Sequence, residues 1–508
     1  MRAIRLGYAT ALITLFMAAS SGVSLAENDF KQWMQQQQNE FQEYKDLRDK
    51  EFTSFLKSQW KEMRVLSGIK RDPAPKPVSV PVAKPEPAPK PQLKPQAKPV
   101  PDTAVQHGKS KPVIEPVLIE IKTPPLVKAK PKVKPVVVSV PKGNVARLEF
   151  YGHSLAFYFD PKMKTKLSGR IDEKAISQFW STLSRADYDA LLNQLNKQRS
   201  PLQLNDWGFA LLINELAKNI YSGQKNEQSL FTWFMLIKAN YQARLAYENY
   251  KVFLLLPTQQ RLYSETYFTF GGKRYYALGM DGNKAKPGKV FTYNGEYPRA
   301  NKVFNMEMSQ NLNTGSNKQT RKVSFIYKNK PYNITVGHDR NTIKFLQTYP
   351  QMDIDQYFKS RVNADIGNPL LQQLRDIIKG KSEEEAVNIL LLFVQNAFKY
   401  KTDQGQFGEE NYLFPEETMY YPYSDCEDRS VIFAWLVRSL TGLEVVGLDL
   451  PGHIAAAVRF SSDIQGDKVR FNGVTYVVTD PTYINARAGM MMPQYKSVKP
   501  KVISFNAF

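Results

Sequence analysis

Cys426 is the only cysteine in 508 residues. It stands in the run Ser424-Asp425-Cys426-Glu427-Asp428-Arg429. A thiol becomes a strong nucleophile wherever its surroundings favour the thiolate. Ser424 and Glu427 have capping-box spacing, and the run 431–437 that follows is apolar. This predicts a buried helix with Cys426 in its first turn, stopped at Thr441-Gly442. Unpaired backbone N–H groups and the positive end of the helix dipole favour thiolate there. Asp425, Glu427 and Asp428 push the other way. If they face water they are screened, and a close imidazolium decides the balance.

The candidate imidazole is His453. Residues 443–448 read as a strand, Pro451-Gly452 as a turn, and His453 opens a second strand over 454–460. Asn472-Gly473 between the strand-like runs 469–471 and 474–478 is a strong hairpin signal. The returning strand ends at Thr479-Asp480-Pro481-Thr482. Cys thus heads a helix, His heads one strand and Asp ends another. Adjacent antiparallel strands bring such groups together as nucleophile, general base and the carboxylate that fixes the imidazole tautomer. A lone cysteine, a histidine at a strand start and an aspartate before proline each have an ordinary structural reading. The three in this order, on these elements, favour catalysis.

This order, with the residues around Cys426, the Gly452-His453 strand start and Asp480-Pro481-Thr482, resembles the transglutaminase-like cysteine enzymes. The resemblance covers roughly the last third of the chain, and as a set these pieces are fairly specific. It implies that Cys426 attacks an amide carbonyl and forms a thioester, that His453 takes and returns the proton, and that Asp480 orients His453. The N–H of Cys426 would serve the oxyanion hole. Related enzymes carry a second donor upstream. No Gln or Trp stands close before Cys426; Tyr420 and Tyr421 are the candidates, and that role is open. The family spans transglutaminases, peptidases, amidases and deglycosylating enzymes, so the resemblance gives the chemistry and not the substrate. One Cys and four scattered His give no metal-ligand spacing, so neither metal nor cofactor is expected.

The elements that must position these groups occupy only part of the chain. Residues 1–26 read as a bacterial-type secretory signal: Arg2 and Arg5, an apolar stretch, and Ser24-Leu25-Ala26 as a cleavage site. The alternative is an uncleaved inner-membrane anchor facing the periplasm. A periplasmic or secreted protein is therefore expected. Over 27–70 the pairs Phe30/Trp33, Phe41/Tyr44, Phe52/Phe55 and Met63/Leu66 recur every eleven residues, which predicts a helix with one aromatic stripe. The stripe needs cover: the chain's own domains, a second copy in a coiled coil, or a membrane surface. Residues 71–143 hold more than half of the chain's 32 prolines, interleaved with lysine. That composition predicts a disordered, extended linker. Its lysines contribute much of the net charge of +21. Contact with an anionic envelope polymer or membrane surface is the functional reading and a solvated spacer the plain one. Nucleic acid fits poorly, for lack of any stacking motif.

The rest reads as α+β. Residues 144–345 show strands at 148–151 and 155–159, helices over 173–221 broken near Arg185 and Pro201, a helix over 231–239, and then strands. Residues 346–508 show helices at 369–378 and 383–398, an acidic, aromatic loop over 403–423, and the candidate site, which by resemblance is a transglutaminase-like (papain-like) domain. Setting Trp233 against Trp435, an offset of 202 residues, aligns 243–247 with 445–449 and Lys251 with His453. Gly271-Gly272 then echoes Asn472-Gly473 with a slip of one residue. Gln224 falls at the cysteine position and Gly279 near that of Asp480, so the first domain reads as an inert copy of the second, or as a chance likeness. The expectation is an exported cysteine acyltransferase or amide hydrolase acting on protein or peptide amides. The alternative is a non-catalytic envelope scaffold that keeps the fold for binding.

Overall fold

The computed structural model describes residues 23–63, 65–69, 76, 82–83, 124 and 144–505. Residues 1–22, which hold most of the stretch read as a secretory signal, and most of the proline-rich stretch lie outside the described residues. Helix α1 (Val23–Leu56) carries three of the four eleven-residue units, and strand β1 (Trp60–Met63) follows. The helix was expected to continue through Met63 and Leu66. It stops at Leu56 because tertiary pairing outweighs the periodicity: Trp60–Met63 pairs antiparallel with a later strand, and Leu66 bridges Tyr267. The lower part of the stripe is covered by the chain itself. Phe52 packs 4.7 Å from Trp180 and 5.3 Å from Tyr297, and Leu56 is fully buried.

Strands β2 (Asn144–Phe150) and β3 (His153–Phe159) form a hairpin. Helices α2 (Glu173–Ser184), α3 (Tyr188–Arg199) and α4 (Asp206–Ile220) follow, with breaks where the sequence placed them. Their starts are set by Asp172, Asp187 and Asn205, whose side chains accept from Ala175, Ala190 and Gly208 N–H groups. Helix α5 (Lys225–Lys238) leads into β4 (Arg244–Glu248), β5 (Lys251–Pro257), β6 (Tyr267–Phe270), β7 (Lys273–Ala277) and β8 (Val290–Tyr293). With β1 these make a six-stranded antiparallel sheet in the order β1-β8-β4-β5-β7-β6. A long hairpin, β9 (Lys318–Tyr327) and β10 (Lys330–Asp339), comes next.

Helices α6 (Arg340–Leu346), α7 (Ile354–Lys359), α8 (Ala364–Ile378) and α9 (Glu383–Ala397) precede the short strand β11 (Lys399–Tyr400). The expected loop over 403–423 contains two short helices, α10 (Asp403–Gln406) and α11 (Pro415–Tyr420). Thr402 and Pro415 supply the local start signals, a side-chain cap and a first-turn proline. Strand β12 (Tyr423–Ser424) then runs into α12 (Cys426–Thr441), which ends on Gly442 at φ 71°, a left-handed position that glycine fills without strain. Strands β13 (Glu444–Leu450), β14 (His453–Arg459), β15 (Lys468–Phe471), β16 (Val474–Thr479) and β17 (Lys501–Ile503) form the second sheet, ordered β15-β16-β14-β13-β17.

The two sheets share one wiring. After a buried helix, β8-β4-β5-β7-β6 matches β17-β13-β14-β16-β15, every pair antiparallel. The register agrees as well. Lys251 pairs with Glu248 across a two-residue turn, as His453 does with Leu450. Phe270 pairs with Lys273 as Phe471 does with Val474. Identical turn lengths fix identical registers.

A continuous apolar core runs from Phe52 through α5 and α12 to Phe505. The other face of the second sheet has a separate core of Val446, Leu448, Ala457 and Tyr476. That core also takes in Ala83, from the proline-rich stretch. Three described sites of the stretch touch the body, contrary to a spacer with no contacts. Lys76 meets buried carboxylates, Ala83 N–H donates to Ile484 O at 2.9 Å, and Pro124 lies beside Gly442. No helix among the described residues is long and apolar enough to cross a membrane.

Candidate active site

Cys426 is the first residue of α12, but Ser424 does not cap it. Asp425 is the N-cap, and its N–H donates to Asp428 Oδ2 at 3.2 Å. Ser424 belongs to β12, and Glu427 is turned toward the thiol. The helix is held from several sides. Asp428 Oδ1 accepts from Leu413 N–H at 2.9 Å, and the buried Arg429 donates to the Phe398 carbonyl. One turn beyond Cys426, Ser430 Oγ donates to the carbonyl of Ile454 at 3.0 Å. That bond ties the first turns of α12 to the residue after His453. A helix start and a strand start are thereby brought into one corner.

His453 is held by its partners. Its Nε2 lies 2.8 Å from Asp480 Oδ2, and its ring stacks on Tyr495 at 5.4 Å and 8°. Tyr495 is anchored in turn by its hydroxyl, which donates to the Pro451 carbonyl at 3.2 Å. Asp480 Oδ1 accepts from the N–H groups of Thr482 and Tyr483 at 2.9 and 3.2 Å. The turn reading and the orienting reading of Asp480 therefore both hold, one for each oxygen. Gln395 of α9 clamps this loop through the carbonyls of Asp480, Tyr483 and Ala486. In a neutral imidazole, Nε2–H donates to Asp480 and Nδ1 keeps its lone pair. Nδ1 is buried with no hydrogen-bond partner among the described residues. It is the ring nitrogen left to accept a proton.

The electrostatics of the thiol depart from the sequence expectation. Asp425, Glu427 and Asp428 do not face water: all three are buried. The Cys426 thiol is fully buried too and donates to Glu427 Oε2 at 2.9 Å. Burial first, then the charges of Glu427 and Asp425, push its pKa well above the ordinary thiol value. The cation that opposes them is an ammonium, Lys76. Its Nζ lies 2.8 Å from Asp425 Oδ2, 2.8 Å from Glu410 Oε2 and 3.5 Å from Asp403 Oδ2, and it also bonds Glu427 Oε1. Burial alone would lower the Lys76 pKa, but Glu427 and Asp425 raise it far more, so it stays charged. Glu427 is held below the usual carboxylate range: burial works upward and Lys76 outweighs it. Burial and then Asp428 and Glu427 push Asp403 up to about 9. Burial and neighbouring carboxylates also raise Asp425 and Asp428.

A cavity of about 1070 Å³ is lined by Cys426, Glu427, His453, Lys76, Tyr412 and Tyr263, among others. Another, of about 630 Å³ beside β15, contains none of the candidate residues. Tyr420 and Tyr421 do not line the Cys426 cavity. Arg321 of β9 donates to the carbonyls of Thr418, Met419 and Tyr421 and holds the end of α11 against the long hairpin. Tyr421 OH accepts from Gln347 at 2.6 Å, and the Tyr420 ring meets His338. Neither hydroxyl serves as an oxyanion donor in this arrangement.

Sequence reasoning missed Glu427 as the partner of the thiol, although it is the adjacent residue. It missed Tyr495, whose only signal was a position shortly after Asp480. No sequence signal could have placed Lys76 here, 350 residues before Cys426. As potential metal ligands, Asp403, Glu410 and Glu427, or Asp403, Asp425 and Asp428, bring carboxylate oxygens within 4.8 Å of one another. An all-oxygen set of this kind suits a hard divalent cation. The cysteine and histidine spacing considered in the sequence could not show it. Comparison of the chain with known protein families, with curated proteins and with solved structures finds no match.

Proposed function

We propose that the chain is an exported cysteine acyltransferase or amide hydrolase of transglutaminase-like type, acting through Cys426, His453 and Asp480. The observation that carries this is the 2.8 Å His453–Asp480 bond, which leaves Nδ1 unpartnered in the cavity shared with the thiol. Cys426 Sγ attacks an amide carbonyl while His453 takes its proton. The tetrahedral oxyanion is met by N–H groups at the start of α12. Collapse breaks the C–N bond, His453 returns the proton to the leaving amine, and a thioester remains. Water or an acceptor amine then attacks, activated by the same histidine. Because the resting thiol is protonated, proton transfer accompanies attack.

The first sheet is an inert copy in this reading. Gln224 caps α5 where Cys426 begins α12, and Lys251 opens β5 where His453 opens β14. No nucleophile or base remains, and the unit shapes one wall of the cavity through Arg261 and Tyr263. The competing reading is a non-catalytic scaffold, favoured by one observation: Cys426 is fully buried with its thiol held neutral. The two are separated by incubating the full chain with envelope extract and looking for an acyl adduct by peptide mass spectrometry. Catalysis predicts an adduct on Cys426 that is lost in Asp480→Ala. An unmodified Cys426 supports the scaffold.

A further inference from the structure

Four carboxylates converge beside the nucleophile, and one lysine from far upstream fills the space between them. Asp403, Asp425 and Glu427 are buried, and Glu410 stands at the rim with its side chain 34 % exposed. Asp425 Oδ1 is buried with no partner of its own, so the pocket's acceptor capacity exceeds what Lys76 satisfies. Two described residues, one before and one after Lys76 in sequence, also meet the body of the chain. Ile69 lines the cavity and its carbonyl accepts from Ser264 N–H at 2.8 Å. Ala83 is buried against the second sheet and donates to Ile484, four residues past Asp480.

We propose that the pocket formed by Asp403, Glu410, Asp425 and Glu427 is a substrate subsite for the primary ammonium of a peptide, and that the chain's own Lys76 occupies it as a pseudosubstrate. This rests on the acyl-transfer reading for the word substrate; the pocket and its occupant stand on the geometry alone. Three features fit a lysine. The site takes a point cation with several donors rather than a planar fork, and Lys76 bonds four separate carboxylates. The ring of Tyr412 lies 5.9 Å from Nζ, within reach of a cation–π contact. The ammonium also offsets the charges that Glu427 and Asp425 direct at Cys426. A substrate lysine entering as Lys76 leaves would keep that compensation, so an empty pocket would disfavour the nucleophile and an occupied one would restore it. Tethering makes the internal lysine a competitor at high effective concentration.

The test uses the full chain carrying Cys426→Ala, so that binding is read without catalysis. A fluorescent peptide of residues 69–83 is titrated into this chain and into the same chain with Lys76→Met added. The native peptide is expected to bind the Lys76→Met chain at least tenfold tighter than the chain that keeps Lys76. A peptide with norleucine in place of Lys76 is expected to bind at least tenfold more weakly. Equal binding of the two peptides overturns the proposal. So does calcium that binds the Lys76→Met chain and is not displaced by the peptide, since the pocket is then a metal site. Should Lys76→Met fail to fold, Glu410→Gln at the rim gives a second reading. Hydrogen exchange of the Ala83 amide should accelerate several-fold as Lys76 loosens, and unchanged protection contradicts the proposal. None of these outcomes bears on whether Cys426 reacts.

Discussion

Glu427 and Asp480 divide the work of holding the thiol and the imidazole. Asp480 fixes which nitrogen of His453 carries the proton, and Glu427 holds the thiol proton in the resting chain. Asp480→Asn should preserve the fold and misassign the tautomer, lowering acyl transfer about 10²- to 10⁴-fold with little change in substrate affinity. Steady-state kinetics on the first identified substrate checks this. Glu427→Gln removes a charge and an acceptor that both raise the thiol pKa. The midpoint of Cys426 alkylation against pH should therefore move down in this variant, and a midpoint that stays put contradicts the assignment. At this scale the sequence was legible where chemistry is local. The helix start at Cys426, the strand start at His453 and the strand end just before Asp480 were each legible locally. Lys76 was not, because its placement depends on a long-range approach that no periodicity encodes. Tyr420 and Tyr421 misled because nearness in sequence to Cys426 is undone by Arg321, which holds the end of α11 on the long hairpin.

The α11 helix offers a test of an element. Glu416 and Glu417 are both fully buried there, and burial pushes them up to about 7 and about 8 from an ordinary 4.5. A carboxyl whose folded pKa is raised keeps its proton in the folded chain while the unfolded chain has lost it. Its contribution to stability is thus fully present below about 4.5 and is lost as pH rises toward 7–8. Each such group gives a slope of about 1.4 kcal/mol per pH unit across that window. Denaturant midpoints measured from pH 5 to 8 should fall with rising pH, and Glu417→Gln should flatten the fall. The α1 helix offers another. Phe52 packs on Trp180, Tyr293 and Tyr297, so Phe52→Ala should cost about 3–5 kcal/mol of helix docking, read as a loss of cooperativity in thermal melts. The hairpins β13–β14 and β15–β16 were legible because alternation and Asn472-Gly473 specify them locally. The short strands β1, β8 and β17 were not. Each is three or four residues long and exists only because a partner strand is nearby.

Among the described residues the two larger sheets have one wiring and are joined by a continuous core, with an N-terminal helix packed on the first. The offset of 202 residues between Trp233 and Trp435 anticipated the shared strand order, since the same turn lengths recur in both halves. The contacts of the proline-rich stretch at Lys76, Ala83 and Pro124 were not legible in its composition. Protease cleavage within 84–123 should leave the N-terminal fragment attached through α1, β1 and Ala83. Gel filtration after the cut checks this, and release of residues 23–83 contradicts the packing seen for Phe52 and Leu56.

The most direct test of the nucleophile is transfer from activated peptide thioesters, with and without a lysine, to the full chain. Intact mass is followed over time for the parent, Cys426→Ala and His453→Ala chains. The account predicts one acyl group on the parent at Cys426, none on Cys426→Ala, and formation slowed at least 100-fold in His453→Ala. Equal acylation of the parent and His453→Ala chains, or a parent that stays unmodified with every thioester, would contradict it.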